Sequence, residues 1–471
     1  MAVSNTLAAE RLVARDTGQG RRTTLAIAAA GTFLALAAYT LPLSDFAGLS
    51  VALGAGPATQ TWILSSMSLG LTAGLLLSGT LADRHGRRSV FLVGAGVLVL
   101  GTLLAVLADL LTGPLRPDMF VAGRIIEGVG ASAVIASALA LISEAFVRPR
   151  DRALASSVWG ASLGAGIAIG PVGAAVADRA GHWWLSYAGL GVLTVLLITA
   201  AAAGLAESRS ARRDRPDLIG TALFLAGTVL LLIGLVRVRT ASSALLPVIL
   251  FASAGLLLVI FVISQLRLAE PMLDLRLFRQ PRFAAVHLSG LIVGFGSIGL
   301  ASLVGTYAVI VLGLGVWPTT GLIAVWAGAS TVTAVAARWL PARAHGGRQL
   351  GWGLLVIAVG QLIMINAATV PPMLAGLLVS GIAAGVVNSG LGRETAASAP
   401  EGRSGLGSGV NNTARYLGSA IGVTVSATLL LHGGHDLRLL HSGWNAAVVV
   451  CSVALAVGAV AVLLLGSRAE H

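Results

Sequence analysis

The stretch "GTLADRHGRR", Gly79 to Arg88, contains two glycines and places five ionisable side chains between residues 83 and 88. The apolar run "SVFLVGAGVLVLGTLLAVLA" follows it directly, from Ser89 onward. An apolar run of about 20 residues is long enough to cross a bilayer as a helix. The charged stretch is therefore predicted to be a tight loop at a membrane surface, with glycine supplying the backbone freedom that such a loop needs.

The composition of the whole chain excludes a soluble protein. Of the 471 residues, 56% are hydrophobic and only 11% are charged, against about 25% charged residues in soluble domains. The formal net charge of +12 does not indicate nucleic-acid binding, because the arginines form short clusters between apolar runs and build no basic face. The long apolar runs predict an all-α polytopic membrane protein, since barrel strands would alternate polar and apolar residues.

The hydrophobic pattern predicts fourteen spanning helices. They lie near 23-43, 58-81, 89-109, 118-146, 152-176, 183-205, 217-236, 244-266, 284-313, 319-340, 350-368, 371-391, 404-431 and 444-466. With the N-terminus inside, 23 arginines fall on the cytoplasmic side and five on the other. This asymmetry predicts a multi-pass protein of the cell (cytoplasmic) membrane with both termini in the cytoplasm.

The loops divide the predicted spans into groups of six, two and six. The division comprises a cytoplasmic tail (1-22), an N-terminal six-helix bundle (23-205), basic loops with two inserted helices (206-283), a C-terminal six-helix bundle (284-466) and a second tail (467-471). The stretch "LPARAHGGR", Leu340 to Arg348, repeats the opening loop but has Ala342 in the place of Asp83. A degenerate repeat of this kind is typical of the two related halves of secondary transporters.

The opening loop resembles a signature of the major facilitator superfamily, G-x-L-a-D-r-x-G-r-r. The matching residues are Gly79, Leu81, Ala82, Asp83, Arg84, Gly86, Arg87 and Arg88. The fourteen-span layout resembles the drug:H+ antiporter branch, in which this loop latches the two halves on the cytoplasmic side. Asp83 can accept hydrogen bonds at a helix start or pair with a loop arginine such as Arg148, Arg150 or Arg152. Simple inside-positive anchoring is the alternative role for the three loop arginines.

The fifth predicted span, "WGASLGAGIAIGPVGAA", contains glycines at helical spacing together with a proline. Such a face allows close helix packing. It also resembles the antiporter signature G-x-x-x-G-P-x-x-G, here Gly166, Gly170, Pro171 and Gly173, with Ala174 where a further glycine is usual. That resemblance implies an exporter.

Two charges lie inside the fourth predicted span and away from its ends: Arg124 and Glu127, one helical turn apart. The family places an arginine assigned to proton transfer at the first position and glutamine at the second. The aspartate and asparagine usual in its first span are replaced here by Phe33 and Ala38. We hypothesise that Glu127 is the protonatable carboxylate. Arg124 would bias the pKa of Glu127 so that proton and substrate compete. The alternative is a static ion pair that holds helices together.

Candidate cavity residues lie in the second half. The stretch "GSGVNNTARYLGSAIG" carries Asn411, Asn412 and Arg415, and resembles a stretch of the antiporter branch. We expect these side chains to face the central cavity, with Gln361 and Asn388 as weaker candidates. The alternative for Arg415 is a structural pair with Glu394.

These observations favour a secondary transporter that exports amphipathic small molecules in exchange for protons. The partners are then a small-molecule substrate, protons and the lipid bilayer, with a monomer as the default state. The alternatives are a dedicated metabolite or lipid exporter or facilitator with weak or different ion coupling, and a non-transporting sensor or membrane enzyme. We find no nucleotide-binding motif, metal cluster or nucleophile with a base in the sequence, and predict no cofactor, no metal site and no enzyme activity.

Overall fold

The structure is a computed structural model, and it describes residues 2–43, 46–209, 217–240, 243–268, 271–341, 344–400, 403–431 and 436–469. Within these ranges the chain is helical. Fourteen long helices remain when Pro281–Ile310 is counted as one and the short helix Phe46–Ala52 is set aside. They are α1 (Ala2–Thr40), α2 (Pro57–His85), α3 (Arg87–Leu107), α4 (Leu115–Ala145), α5 (Pro149–Arg179), α6 (Trp184–Gly204), α7 (Leu218–Thr240), α8 (Leu245–Arg267), α9 (Pro281–Ile310), α10 (Val316–Ala336), α11 (Gly347–Leu362), α12 (Val370–Ser398), α13 (Ser404–Leu431) and α14 (Leu437–Ala469).

Twelve of the described helices are long and apolar enough to cross a membrane, so the predicted count of fourteen spans is not confirmed. The two that fall short are α11 and α13. Helix α11 has only 16 residues, because the chain leaves the helix after Leu362 and continues as turns. Helix α13 has 28 residues, but Asn411, Asn412 and Arg415 lower its hydropathy.

Local sequence explains several helix boundaries. Proline stands in the first turn of α2, α5, α9 and α12, where a missing N–H removes no helical hydrogen bond. Gly86 separates α2 from α3 with φ of 116°, a backbone conformation that side-chain-bearing residues rarely adopt. The predicted loop is therefore a single-residue break between two helices.

The buried apolar side chains form two large clusters. One is built by α1 to α6 together with Tyr416 of α13, and the other by α9 to α14. Helix α2 packs against α13, and α5 packs against α10 and α12, so these helices join the two groups.

Helices α7 and α8 form a pair at the edge of this arrangement. Phe224 of α7 packs against Phe261 of α8 with ring centroids 5.3 Å apart. Only 17% of the apolar window of α8 is buried, against 78% for α4. A third, small apolar cluster connects the pair to α2, α9 and α13. The pair thus leaves most of its apolar surface for lipid.

Helix α9 contains one π-helical turn, Val293–Ile298, where it meets α13. A side chain on Gly294 would overlap the backbone carbonyl of Arg415, and side chains on Gly418 and Gly422 would overlap α9 in the same way. The two backbones therefore touch along this seam. Wide π-turns of this kind are frequent at functional sites.

Candidate transport site and its closed face

The carboxylate of Asp83 lies at the junction of the two helix groups. Its oxygens accept hydrogen bonds from the backbone N–H groups of Gly405, at 3.0 Å, and Leu406, at 2.8 Å. These are unpaired donors of the first turn of α13, where the helix dipole also favours a negative charge. The structure thus places the end of α2 on the start of α13, which is the helix-start geometry expected from the sequence. Of the arginines named as alternatives, Arg152 directs its Nε to the carbonyl oxygen of Phe146 instead.

Arg87 holds Asp83 from the other side. Its Nη2 lies 3.2 Å from Oδ1 of Asp83, and its Nη1 lies 2.5 Å from Oε2 of Glu144 at the end of α4. Arg87 is buried, whereas the side chain of Glu144 is 58% exposed. From the sequence, Glu144 stands near the end of the fourth predicted span, where a carboxylate is expected to be solvated. Its position in the last turn of α4, on the side where the loop arginines lie, was the signal for this contact.

Close backbone packing accompanies the Asp83 contact. A side chain on Gly79 would overlap the carbonyl of Gly405, and one on Gly405 would lie 2.8 Å from Oδ1 of Asp83. Gly409, one turn further along α13, faces the carbonyl of Leu75. We call this crossing of α2 and α13, with the Asp83 carboxylate, the Asp83 clasp.

The remaining loop residues attach the start of α3 to the chain after α6. Glu207 accepts hydrogen bonds from the backbone N–H groups of Arg88 and Ser89, each at 3.1 Å. The guanidinium of Arg88 donates to the carbonyl of Ala202 at 2.8 Å, and Arg84 is exposed. Glu207 therefore caps α3, a role that sequence reasoning missed because the two segments are far apart in the chain.

The corresponding connection in the second half, between α10 and α11, shares the glycine. Gly346 has φ of 72° just before α11, as Gly86 does before α3. Ala342, the residue in the place of Asp83, lies outside the described residues. Burial, and then the charge of Arg393, lowers the pKa of His345 in this connection. The nearby carboxylate of Glu394 binds Arg282 at 2.8 Å and Arg393 at 3.1 Å, so Glu394 is not the partner of Arg415.

The glycines of α5 face two directions. Side chains on Gly166 and Gly170 would overlap the backbone of α1 near Phe33 and Ala37, whereas Gly173 has more room. Gly160 and Gly164 instead face α12 and α10. Pro171 lies inside the helix without ending it. The signature residues therefore seat α5 on α1, while neighbouring glycines seat it on the second helix group.

Arg124 and Glu127 form a buried ion pair inside the first helix group. Nη1 of Arg124 lies 2.5 Å from Oε2 of Glu127, and both side chains are at most 1% exposed. Thr102 of α3 donates to the other carboxylate oxygen at 2.9 Å. Arg124 also donates to the α1 carbonyls of Ala38, at 2.8 Å, and Tyr39, at 3.4 Å. The pair thus connects α4, α3 and the last turn of α1.

The predicted cavity residues of the second half differ in their surroundings. Gln361 donates to the carbonyl of Gly296 in the π-turn at 2.7 Å, and Asn411 donates to the carbonyl of Val286 at 3.1 Å. Asn388 is partly exposed at the crossing of α12 with α5, next to Gly160. Asn412 and Arg415 are buried, and both retain polar atoms without a hydrogen-bond partner among the described residues.

A mostly apolar pocket lies between the two helix groups. It is partly open to the outside and is lined from α1, α5, α9, α10 and α12. Tyr39, Thr40 and Ser302 are the hydroxyl-bearing residues of its wall. Tyr39 lies near the last residue of α1 and Asp83 near the last residue of the following antiparallel helix, α2. The pocket and the clasp therefore lie toward opposite ends of the helices.

Two helix groups, a pocket between them and a charged clasp at one end define a polytopic helical membrane transporter. The Major Facilitator Superfamily model matches residues 25–423. The chain belongs to this superfamily, as the resemblance of the opening loop implied.

Named relatives and solved structures agree with this family. The chain is 29% identical to a probable actinorhodin transporter of Streptomyces coelicolor, over 80% of this chain and 67% of that protein. It is 29% identical to the multidrug efflux pump LfrA of Mycolicibacterium smegmatis, over 79% and 73% of the two chains. The crystal structure of the human organic anion transporter MFSD10 covers 92% of this chain and 99% of its own, with a TM-score of 0.67 and 17% identity. At this identity the last comparison shows the shared fold alone.

Proposed function

We propose that this protein is a proton-coupled exporter of amphipathic small molecules that works by alternating access. The observation that carries the proposal is the Asp83 clasp, a contact between two helix groups at one end of a pocket that both groups line. Opening that end requires α2 and α13 to separate at Gly79 and Gly405. The relatives named as drug efflux pumps support export of drug-like compounds.

The proposed topology has fourteen spans, with bundles at 23-205 and 284-466 and the pair α7–α8 inserted between them. Helix α13 supports this count, because 28 residues at about 1.5 Å each exceed the roughly 30 Å of hydrocarbon. The arginine distribution favours a cytoplasmic-membrane location with both termini inside. In this orientation the clasp closes the cytoplasmic end, and the pocket belongs to an outward-facing or occluded state.

Coupling to protons is proposed to run through Glu127 and Arg124. Arg124 binds Glu127 on one side and the carbonyls of Ala38 and Tyr39 on the other, and Tyr39 lines the pocket. Protonation of Glu127 removes the charge that holds Arg124, which frees the guanidinium to shift against the end of α1. Protonation of Glu127 would thereby change the position of the end of α1, which forms part of the pocket wall.

The test is proton release from energised everted vesicles, followed with a pH-sensitive dye, on addition of lipophilic cations, neutral drugs and acidic drugs. Wild type is compared with Glu127→Gln and with Asp109→Asn, a carboxylate of a partly exposed ion pair with Arg116. Substrate-induced release that is lost in the first variant and kept in the second supports coupling through Glu127. Release that survives in Glu127→Gln makes the Arg124–Glu127 pair structural.

The clasp is tested by Asp83→Asn. The amide keeps the shape but not the charge that binds the start of α13, and hydrogen bonds to a charged group are worth about 1.5–3 kcal/mol. Normal membrane insertion with a transport rate reduced about tenfold is expected. Near-normal transport would remove the clasp from the mechanism.

A dedicated metabolite or lipid exporter with weak proton coupling is the second candidate. The replacement of the usual first-span polar residues by Phe33 and Ala38 favours it. This candidate would be supported if no compound of the drug panel caused proton release while the protein exported a single class of compound.

A further inference from the structure

The guanidinium of Arg415 is a buried positive charge with no acidic partner among the residues that the structure describes. Its side chain belongs to a residue that is 3% exposed, and Nε and Nη2 have no hydrogen-bond partner in the described part of the chain. Among the residues whose burial is described, the other two buried arginines are compensated, since Arg87 binds Asp83 and Glu144 and Arg124 binds Glu127. The described acidic residues that are buried are thus already taken, including Glu394.

The two free nitrogens point to a particular ligand chemistry. Nε and Nη2 form one edge of the guanidinium and present two parallel N–H donors, which match the two oxygens of a carboxylate. An isolated charge in a protein interior is strongly unfavourable unless it is paired. An anion that completes this edge would remove that penalty.

Further unpartnered polar atoms lie on the same side of α13. Oδ1 of Asn412 and Oγ of Ser419 lack hydrogen-bond partners within the described ranges. These residues are three positions before and four positions after Arg415, which puts all three on one face of the helix. The face therefore offers a cation flanked by an amide and a hydroxyl.

The helix segment that carries this polar face lies next to the apolar pocket, although Arg415 itself is not part of the pocket lining. Tyr416, next to Arg415, packs edge-on against Tyr39 of the pocket wall with ring centroids 5.8 Å apart. The carbonyl of Arg415 also touches α9 at Gly294, one turn before the wall residue Ile298. Arg415 is 11 residues from the start of α13, about 16 Å along the helix, which is close to its middle.

We propose that Arg415 binds the acid group of an amphipathic carboxylic-acid substrate, whose apolar part occupies the neighbouring pocket. This assignment rests on the proposed export function and gives it a substrate class. It reverses the usual expectation for a pump of lipophilic cations, because the uncompensated buried charge here is positive.

The test uses pyrenebutyrate, its neutral methyl ester and pyrenebutyl-trimethylammonium, which share one fluorescent apolar group. Binding at pH 7.5 is measured on the full chain in nanodiscs by equilibrium dialysis, and binding to empty nanodiscs is subtracted. Wild type is expected to bind the acid at least tenfold more tightly than the ester or the cation. Equal affinities, or a preference for the cation, would overturn the assignment.

Three variants identify the residue responsible. Arg415→Met should abolish the preference for the acid, while Arg415→Lys, which keeps the charge but loses the fork, should retain part of it. Arg116→Met removes a partly exposed arginine and should leave the preference unchanged. A preference for the acid that survives in Arg415→Met would contradict the proposal. Unchanged melting temperatures of the Arg415 variants distinguish lost binding from misfolding. If Arg415→Met fails to fold, the proposal is judged on Arg415→Lys, in which the preference for the acid should be reduced.

Transport of the same three compounds separates this proposal from the export function. Proton-linked export of the cation or ester by a protein that does not prefer the acid would leave the export function standing and refute the role of Arg415. Tight, Arg415-dependent binding of the acid without export of any compound would support the binding site and refute the export function.

Discussion

Arg124 and Arg415 are both buried within long helices, but their surroundings differ. Arg124 has a carboxylate one turn away and two backbone carbonyls of α1 as acceptors. Arg415 has no carboxylate partner among the described residues, and two of its nitrogens are unpaired. A paired charge holds helices together, whereas an unpaired charge destabilises its own fold and is suited to bind a ligand. The charge of Arg124 is thus compensated within the protein, whereas the charge of Arg415 is the one that we assign to a substrate.

The same substitution at the two positions should have opposite consequences. Arg124→Met leaves Glu127 buried without its cation, which is expected to destabilise the protein by about 3–5 kcal/mol. Arg415→Met removes an unpaired charge and should leave stability unchanged or increase it. Melting temperatures of both variants in one detergent measure the contrast. Equal losses at both positions would show that Arg415 is also structurally paired.

Supplying Arg415 with an internal partner should eliminate the difference. Asn412→Asp places a carboxylate three positions from Arg415, at the spacing that joins Arg124 to Glu127. The new carboxylate should compete with an acidic ligand and weaken binding of pyrenebutyrate about tenfold or more. Dialysis against this compound measures the effect, with Asn412→Ala as the control for loss of the amide. Unchanged affinity in Asn412→Asp would show that the two residues do not face the same site.

Weakening the Arg124–Glu127 pair without removing it should have a smaller effect. Thr102→Val deletes the 2.9 Å hydrogen bond to Glu127, and hydrogen bonds to charged groups are worth about 1.5–3 kcal/mol. A lower melting temperature is expected. The matched control is Thr32→Val, because the hydroxyl of this buried threonine donates to the carbonyl of Ala28 in its own helix. If both variants lose the same stability, the hydrogen bond to Glu127 contributes no more to stability than a threonine hydrogen bond within one helix.

An arginine near the surface gives the lower limit of the series. Arg116 pairs with Asp109, and the two side chains are 27% and 31% exposed. Pairs of this kind contribute about 1 kcal/mol or less, so Arg116→Met should change the melting temperature little. A decrease in melting temperature as large as that of Arg124→Met would mean that burial of the arginine does not determine the size of the stability loss.

Predictions that rest on local sequence patterns agree with the structure more fully than predictions that depend on contacts between distant segments. The superfamily is confirmed, because its loop signature is a local pattern and the family model matches most of the chain. The fourteen-span branch stays a prediction, since α11 is short and α13 is polar. The helix-start geometry expected for Asp83 is observed, but only the structure shows that the helix is α13.

Other contacts could not be read from the sequence. Glu144 reaches Arg87 from 57 residues away, and Glu207 caps α3 from 119 residues away. Glu394 lies closer in sequence to Arg415 than to Arg282, yet it binds Arg282 across 112 residues. Spacing along the chain gives no information on such pairs, because helix packing and not sequence distance brings the groups together.

The sequence by itself determined that this chain is a helical membrane protein, where most of its helices lie, and which superfamily it resembles, because hydropathy and glycine-rich turns act over short distances. It also identified the charges Arg124, Glu127 and Arg415, since any charge within an apolar run is exceptional. Only the tertiary structure decided which of these charges are compensated. Glu127 lies on the same helix as Arg124, but whether Arg415 has a partner depends on which groups of other helices approach it within about 3 Å. The structure thus separates Arg124, whose charge is compensated within the protein, from Arg415, which we assign to the substrate.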